Sequence, residues 1–437
     1  MKQTLTYHSP IIVSTARRTD PGAYDRSLEH FKKGEYMPAL HALLDYIHPE
    51  LRRKYGNPEG TEFHVPHGSI IVGLKIAGDR LEIDAPFLAL PDKGRIPLLR
   101  QIAGLNNNVL DLPCIRLCDG QFHFTYDCPL ALAHPEKIYD VLDDICRTGD
   151  RYDDEFAAKF GASRINEPIV KPYDSANRER ICNGIRQTCA ECLEAVKGFE
   201  NERKYGYAWD VIASALLGIV YFARPQGRLL NELDKAIQEH DREDIPIQEV
   251  IARGKEALQK IASLDREQLA EWLYFVETFV PGKRRSNLKN IQDNFRKIFD
   301  EATSAANAGD LMACCLMIVY KFYEMYYYND VQDDVNAVVS KALHRASAMP
   351  WDTAAPILHA AMAQIMAGRL DDDNDNGDPE ETTDRNAEIS LEAALAEIQK
   401  IQQEAVAQAK AVQARTGLQS EAPANDGAGD NRSEENE

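Results

Sequence analysis

The side chains able to do chemistry are few and loosely grouped. His64-Val65-Pro66-His67 sets two imidazoles close together just before a strand. Zinc would need at least a third ligand, and Asp84 and His123, on other strands, are the candidates. Two loop or sheet-edge histidines are the plainer account. Cys189-Ala190-Glu191-Cys192 is a lone C-x2-C, without the second pair of a structural zinc site and without the βαβ pattern of a redox motif. One helical turn apart, its thiols read as core, as does Cys314-Cys315 within a very apolar helix. Asp372, Asn374, Asn376 and Gly377 open like an EF-hand loop, but Thr383 stands where a bidentate Glu is needed and Pro379 intrudes. An acidic linker accounts for that stretch. Lys283, Arg284, Arg285 and Lys289 read as a solvated helix start, with phosphate binding the lesser alternative. No Gly-rich phosphate loop, Ser/His/Asp set or carboxylate pair stands out. The expectation is a protein without catalytic residues, metal or cofactor.

Binding is what remains, and two groups of residues suit it. Aromatics run through Tyr320, Phe322, Tyr323, Tyr326, Tyr327 and Tyr328. Adjacent tyrosines cannot all face inward on one helix, and exposed Tyr favours protein interfaces. Tyr326, Tyr327 and Tyr328 are therefore candidate contacts. The second group is Lys75, Glu82, Asp84 and His123, with Thr125, which are polar positions alternating with apolar ones. An antiparallel sheet can keep such a face wet.

The elements that must position these residues come next. Ile70, Val72, Leu74 and Ile76, then Leu81, Ile83 and Ala85, alternate on either side of Gly78-Asp79 and predict a hairpin. Ile96, Leu98, Leu99, Ile102, Ala103 and Leu105 predict a helix face, with Pro97 in its first turn. Ile115 and Leu117, then Phe122, Phe124 and Tyr126, flank Asp119-Gly120 as a second hairpin. Asp20-Pro21 starts a first helix; Tyr36, Leu40, Leu43, Leu44 and Ile47 make a second; Pro135 opens another with Ile138, Val141, Leu142 and Ile145 inward.

That order of elements resembles the type III secretion chaperone-like fold, which includes the YbjN-like bacterial proteins. The resemblance covers roughly Ala23 to Ala162 and is carried by LEIDAPFLAL, IPLLRQIAGLN, QFHFTYDCPL and PEKIYDVLDDI. It implies a small α+β module that binds protein segments and commonly dimerises, with no catalytic set. A free-standing chaperone of that kind lacks the long helical extension present here.

The whole chain then divides as follows. An N-terminal extension (1–20), with one strand signal at Ile11 to Ser14, precedes the α+β module (21–164), an antiparallel sheet of two hairpins with covering helices. A Pro-containing linker (165–174) leads to an all-α domain (175–370). After it come an acidic linker (371–385), an isolated amphipathic helix (386–415) with a weak coiled-coil seam, and a disordered tail (416–437). Within the all-α domain SALLGIVYF and LLNELDKAI are echoed about 100 residues later by ACCLMIVYKF and VNAVVSKAL, which two stacked copies of a helix pair would explain.

Composition narrows the partners. Of the formal charge of −20, the stretch from Asp371 onward carries −13, with 18 acidic and 5 basic residues. An acidic body argues against a nucleic-acid groove. Nine cysteines, outside loop spacings, fit reduced thiols. The richest apolar run, Leu311 to Tyr320, stops at Lys321, short of a membrane span. The expected function is a cytoplasmic adaptor or chaperone-like protein that holds a protein segment or partner subunit, homodimerisation included. Neither nucleic acid nor membrane is among the expected partners. The alternative is an enzyme or regulated effector with a site between the two domains, metal-assisted through His64 and His67.

Overall fold

The computed structural model describes residues 3–11, 20–167, 170–276, 278, 280 and 283–370. The EF-hand-like stretch and the linker, helix and tail expected after residue 370 lie outside the described residues, as do residues 12–14 of the N-terminal strand signal.

The module begins where Asp20 caps α1 (Pro21–Lys32), its Oδ1 accepting from the Gly22 amide at 3.0 Å. α2 (Tyr36–Ile47) buries Leu40, Leu43, Leu44 and Ile47, and α3 (Leu51–Tyr55) is a short turn behind it. Then follow β1 (Glu62–His67), β2 (Ile70–Ala77), β3 (Arg80–Ala89), α4 (Arg95–Asn108), β4 (Cys114–Cys118) and β5 (Gln121–Pro129). A 3-10 turn at Leu130–Leu132 leads into the 26-residue α5 (Pro135–Phe160), and β6 (Ser163–Arg164) returns to pair with the end of β3. The sheet is antiparallel in the order β1-β2-β3-β5-β4. The second hairpin turns on Asp119 and Gly120, both at positive φ, as a two-residue primed turn requires.

Two expectations change here. The first hairpin is a three-stranded meander, because Glu62 to His67 is itself a strand with Phe63, Val65 and His67 inward. Pro66 and the histidines dilute its alternation in the sequence, yet Pro is tolerated on an edge strand. The buried face of α4 is narrower than expected. Leu98, Ile102 and Leu105 are buried, Leu99 is half-buried, Ala103 is exposed and Ile96 is 60% exposed.

One sheet face packs on α1, α2 and α5 around Phe63, Val72, Leu74, Ile83, Phe122 and Phe124. α5 lies close on β2: a Cβ at Gly149 would meet Ile70 Cγ1 at 2.4 Å. Only glycine permits that approach.

The helical region opens with β7 (Val170–Pro172) and α6 (Ser175–Asn201), followed by α7 (Tyr205–Ala223), α8 (Arg228–His240), α9 (Ile247–Ala262), α10 (Arg266–Trp272) and β8 (Tyr274–Val276). β9 (Arg284–Arg285), α11 (Leu288–Asn307), α12 (Leu311–Tyr328), β10 (Asn329–Asp330), α13 (Asp333–Ala346) and α14 (Trp351–Met366) complete it. The short strands pair β7, within the expected linker, with β8, and β9 with β10; β8, β9 and β10 are small interruptions in a region expected to be helical throughout. α7 by length and composition could cross a membrane, contrary to the expectation that no run is long enough. Packing accounts for its apolarity, since 78% of that window is buried inside the helical core.

The weak echo in the sequence has a counterpart in the packing. α6 to α9 and α11 to α14 repeat one contact pattern: first helix on second, second on fourth, third on fourth, first on fourth. Asp174 and Asn287 cap the two first helices in the same way. The two second helices, α7 and α12, pack on each other and join the halves. The residues before α6 belong to the same core. Residues 3–11 cross the helical region, with the Thr4 amide on Met349 O at 2.8 Å and the Ile11 amide on Phe222 O at 2.9 Å.

Candidate functional site

Strand alternation sends Lys75, Glu82, Asp84, His123 and Thr125 to the face opposite the helices. Lys75 stands between Glu62 and Glu82 in register and pairs with Glu62 at 3.2 Å. Arg80 pairs with Asp127 one position on. Asp84 lies opposite Thr125, and both its oxygens are 3.1 Å from His123 Nδ1. Asp84 and Lys75 have side chains more than half exposed. The face is a mixed-charge lattice, with Ile71 as an apolar point at 36% exposure.

Each edge strand is clasped at one position in a way the sequence did not announce. On β1, Asn57 takes both outward groups of Glu62: its amide donates to Glu62 O at 2.8 Å, and its Oδ1 accepts from the Glu62 amide at 3.0 Å. Pro66, further along that edge, has no N–H to offer. On β4, the side chain of Asn106 does the same for Ile115, with Nδ2 on the carbonyl at 2.9 Å and Oδ1 on the amide at 2.7 Å. The Asn106 side-chain amide presents an N–H and a carbonyl together, and Asn57 combines its main-chain N–H with its side-chain carbonyl. Each Asn takes, at one residue of its edge, the hydrogen bonds a neighbouring strand would make there. Asn106 falls in an Asn-Asn-Asn run that reads as a loop; nothing in its spacing marks the pairing.

The tyrosines separate. Tyr326 is buried, its ring 4.4 Å from that of Tyr221 and its hydroxyl donating to Asn336 at 2.8 Å. This corrects the reading of Tyr326 as an accessible contact: the α7–α12 packing claims it. Tyr327 is half-buried, its hydroxyl donating to Asp234 at 2.7 Å. Tyr328 is 60% exposed.

His64 and His67 point to opposite faces of β1. His67 is buried, its Nδ1 accepts from the Val280 amide at 3.4 Å, and burial pushes its pKa down to about 4. Among the described residues no three His, Cys, Asp or Glu side chains converge as a metal site. The cysteines are free; Cys189, Cys192, Cys314 and Cys315 are buried, and burial raises those thiols, Cys189 and Cys314 to about 12. In the basic cluster, the Lys283 ammonium donates to Tyr326 O at 2.7 Å, and Arg285 pairs with Asp330 at 3.2 Å.

Sequence reasoning missed a set of acids at the seam between the two regions. Asp150, Asp153 and Asp154 lie on α5. Asp153 accepts from Ser69 Oγ at 2.6 Å and from Arg164 Nε at 2.8 Å. Asp154 bonds Arg164 and accepts from Tyr274 Oη of β8 at 3.3 Å. Asp150 approaches the β1–β2 turn, where a Cβ at Gly68 would meet its Oδ1 at 2.9 Å. Burial, with the charge of Asp153 behind it, raises the Asp150 carboxyl to about 7 against the pull of Arg164. The seam is completed by Asn231 Nδ2 on Arg151 O at 2.5 Å and Lys235 on Glu155 at 2.9 Å. On a helix already assigned to the core, an acid at i and i+3 carries no distinctive spacing, which is why these residues stay silent in the sequence.

Compared with models of protein families, with curated proteins and with solved structures, the chain finds no match.

Proposed function

We propose that the protein is a binding adaptor whose α+β module, similar to type III secretion chaperone-like domains, holds a protein partner on the open face of its sheet, while the helical region serves a second partner. The observation that carries this reading is the face itself: five strands wide, exposed at Lys75, Glu82, Asp84 and Asp127, and flanked by edges that Asn57 and Asn106 each clasp at one position. An ordered surface with mixed charge gives register and selectivity more than raw affinity. A cytoplasmic setting and self-association fit the same reading. The test is Glu82→Lys with Asp84→Lys, compared with wild type by quantitative capture and by sedimentation. Loss of specific partners or of the dimer, with unfolding unchanged, is the expected result. Identical partners and identical mass would remove the sheet face from the account.

One observation favours a second reading, a regulated effector with its control between the regions. Asp150 titrates near neutrality at a seam that joins α5 to α8. A group poised there responds to small changes in pH. Partner capture that varies between pH 6 and 8 in wild type but not in Asp150→Asn would support it.

A further inference from the structure

The strand register lets the open face of the sheet be read row by row. In one row Lys75 stands between Glu62 and Glu82, with Asp127 beyond Glu82. In the next, His64, Gly73, Asp84, Thr125 and Cys114 cross the five strands in turn. Glu82 and Asp84 both belong to β3, the middle strand, and stand about 7 Å apart on the same side. The cations of the face are held away from them. Lys75 leans outward to Glu62 at 3.2 Å, Arg80 pairs with Asp127, and Arg116, on the far strand, gives its Nε to Cys114 Sγ at 3.4 Å. Among the described residues Glu82 makes no ion pair, and Asp84 meets the His123 imidazole. The centre of the face thus carries two like charges without a matching cation.

Beside Asp84 the face has a dimple. Its neighbour on β2 is Gly73, where a Cβ would meet Asp84 O at 3.2 Å and His64 Nδ1 at 3.7 Å. With no side chain there, the backbone itself is the floor. Ile71, 36% exposed, borders the dimple along the strand. A long cationic side chain suits this relief: its apolar stem lies on Gly73 and Ile71 while its head reaches the acids of β3. A guanidinium presents its N–H groups as a planar fork able to serve two carboxylates, whereas an ammonium is a compact point charge. The stretch after residue 370, at −13, has the wrong sign to be the occupant.

We propose that the open face takes an arginine of the partner protein into the Gly73 dimple, with its stem along Ile71 and its guanidinium between Glu82 and Asp84. The proposal rests on the reading of the sheet face given above and states the partner's chemistry: a segment that presents arginine beside apolar residues.

The probe is a fluorescent peptide alternating Leu and Arg, titrated by anisotropy into the full chain beside its Leu–Lys counterpart. Saturable binding is expected, about threefold tighter for Arg than for Lys. Glu82→Gln with Asp84→Asn should weaken it about tenfold, as should Gly73→Val, which fills the dimple without changing charge. Gly73→Ser is read in its place where Gly73→Val does not unfold cooperatively. Glu256→Gln with Glu267→Gln, the same loss of charge at exposed sites of the helical region, should leave binding unchanged. Absence of saturable binding to the folded wild-type chain overturns the proposal. So does equal weakening by the two charge pairs, which is diffuse attraction, or full binding by the folded Gly73 variant. A dimer that Glu82→Gln with Asp84→Asn dissolves in sedimentation makes a second copy the occupant and overturns it too. If Glu82→Lys with Asp84→Lys loses captured partners while the Arg peptide never binds, the sheet face stays in the account and the arginine alone is removed.

Discussion

At the scale of the residue, Asp150 is the group whose protonation should be felt. Its folded pKa of about 7 lies above the usual value near 3.9, so the native state holds the proton more tightly than the unfolded one. Its contribution is full below about pH 4 and is lost as pH rises through 7. A shift of that size corresponds to at most about 4 kcal/mol, and partial hydration of the seam reduces it. His67 acts in the opposite sense: depressed to about 4, it withdraws stability as pH falls below its ordinary 6.5. Asp150→Asn should flatten the decline in stability between pH 5 and 8 and leave the acid limb, set in part by His67, in place. Urea unfolding across that range measures it; a wild-type slope in the variant would mean that Asp150 is solvated and ordinary.

At the scale of the element, strand and helix periods carried most of the fold. Leu40 to Ile47, Ile70 to Leu74 and Ile138 to Ile145 bury the residues their spacing marks. What failed did so for local reasons. β1 hides behind Pro66 and two histidines. The face of α4 was drawn too wide because Ile96 and Ala103 share its period without meeting the sheet. The duplication shows a subtler slip: LDKAI and VSKAL stand 106 residues apart, in structural register, but GIVYF and MIVYKF align seven residues short of it. Seven residues are two turns, so that misalignment keeps the face and looks convincing. The exposed polar face was legible because period-2 alternation fixes it; the Asn clasps and the seam acids were not, because tertiary proximity, not spacing, gives them their role. Leu98→Ala, at a fully buried site on α4, should cost about 2–5 kcal/mol, whereas Ile96→Ala should stay within about half a kcal/mol. Equal losses by chemical denaturation would show that α4 docks differently.

At the scale of the molecule, the N-terminal residues and the last described helices form one body. Thr4 reaches Ala346, Thr6 holds Glu191 through its amide at 2.7 Å and its hydroxyl at 2.8 Å, and Tyr7 holds Ser347. Removing residues 1–11 should therefore destabilise the helical region by about 2–4 kcal/mol, the net worth of a few such bonds. Denaturant unfolding of the shortened chain reads this directly, and a loss below about half a kcal/mol would make the segment ornamental. The same arrangement has a consequence for biosynthesis. Residues 3–11 leave the ribosome before the helices they bind, and the surface that receives them is finished only when α13 and α14 have been made, more than 330 residues later. The α+β module, complete by residue 164, can fold on the nascent chain in the meantime. Residues 3–11 must wait, unpaired, until those helices have been made, and their docking marks the moment at which the helical body closes.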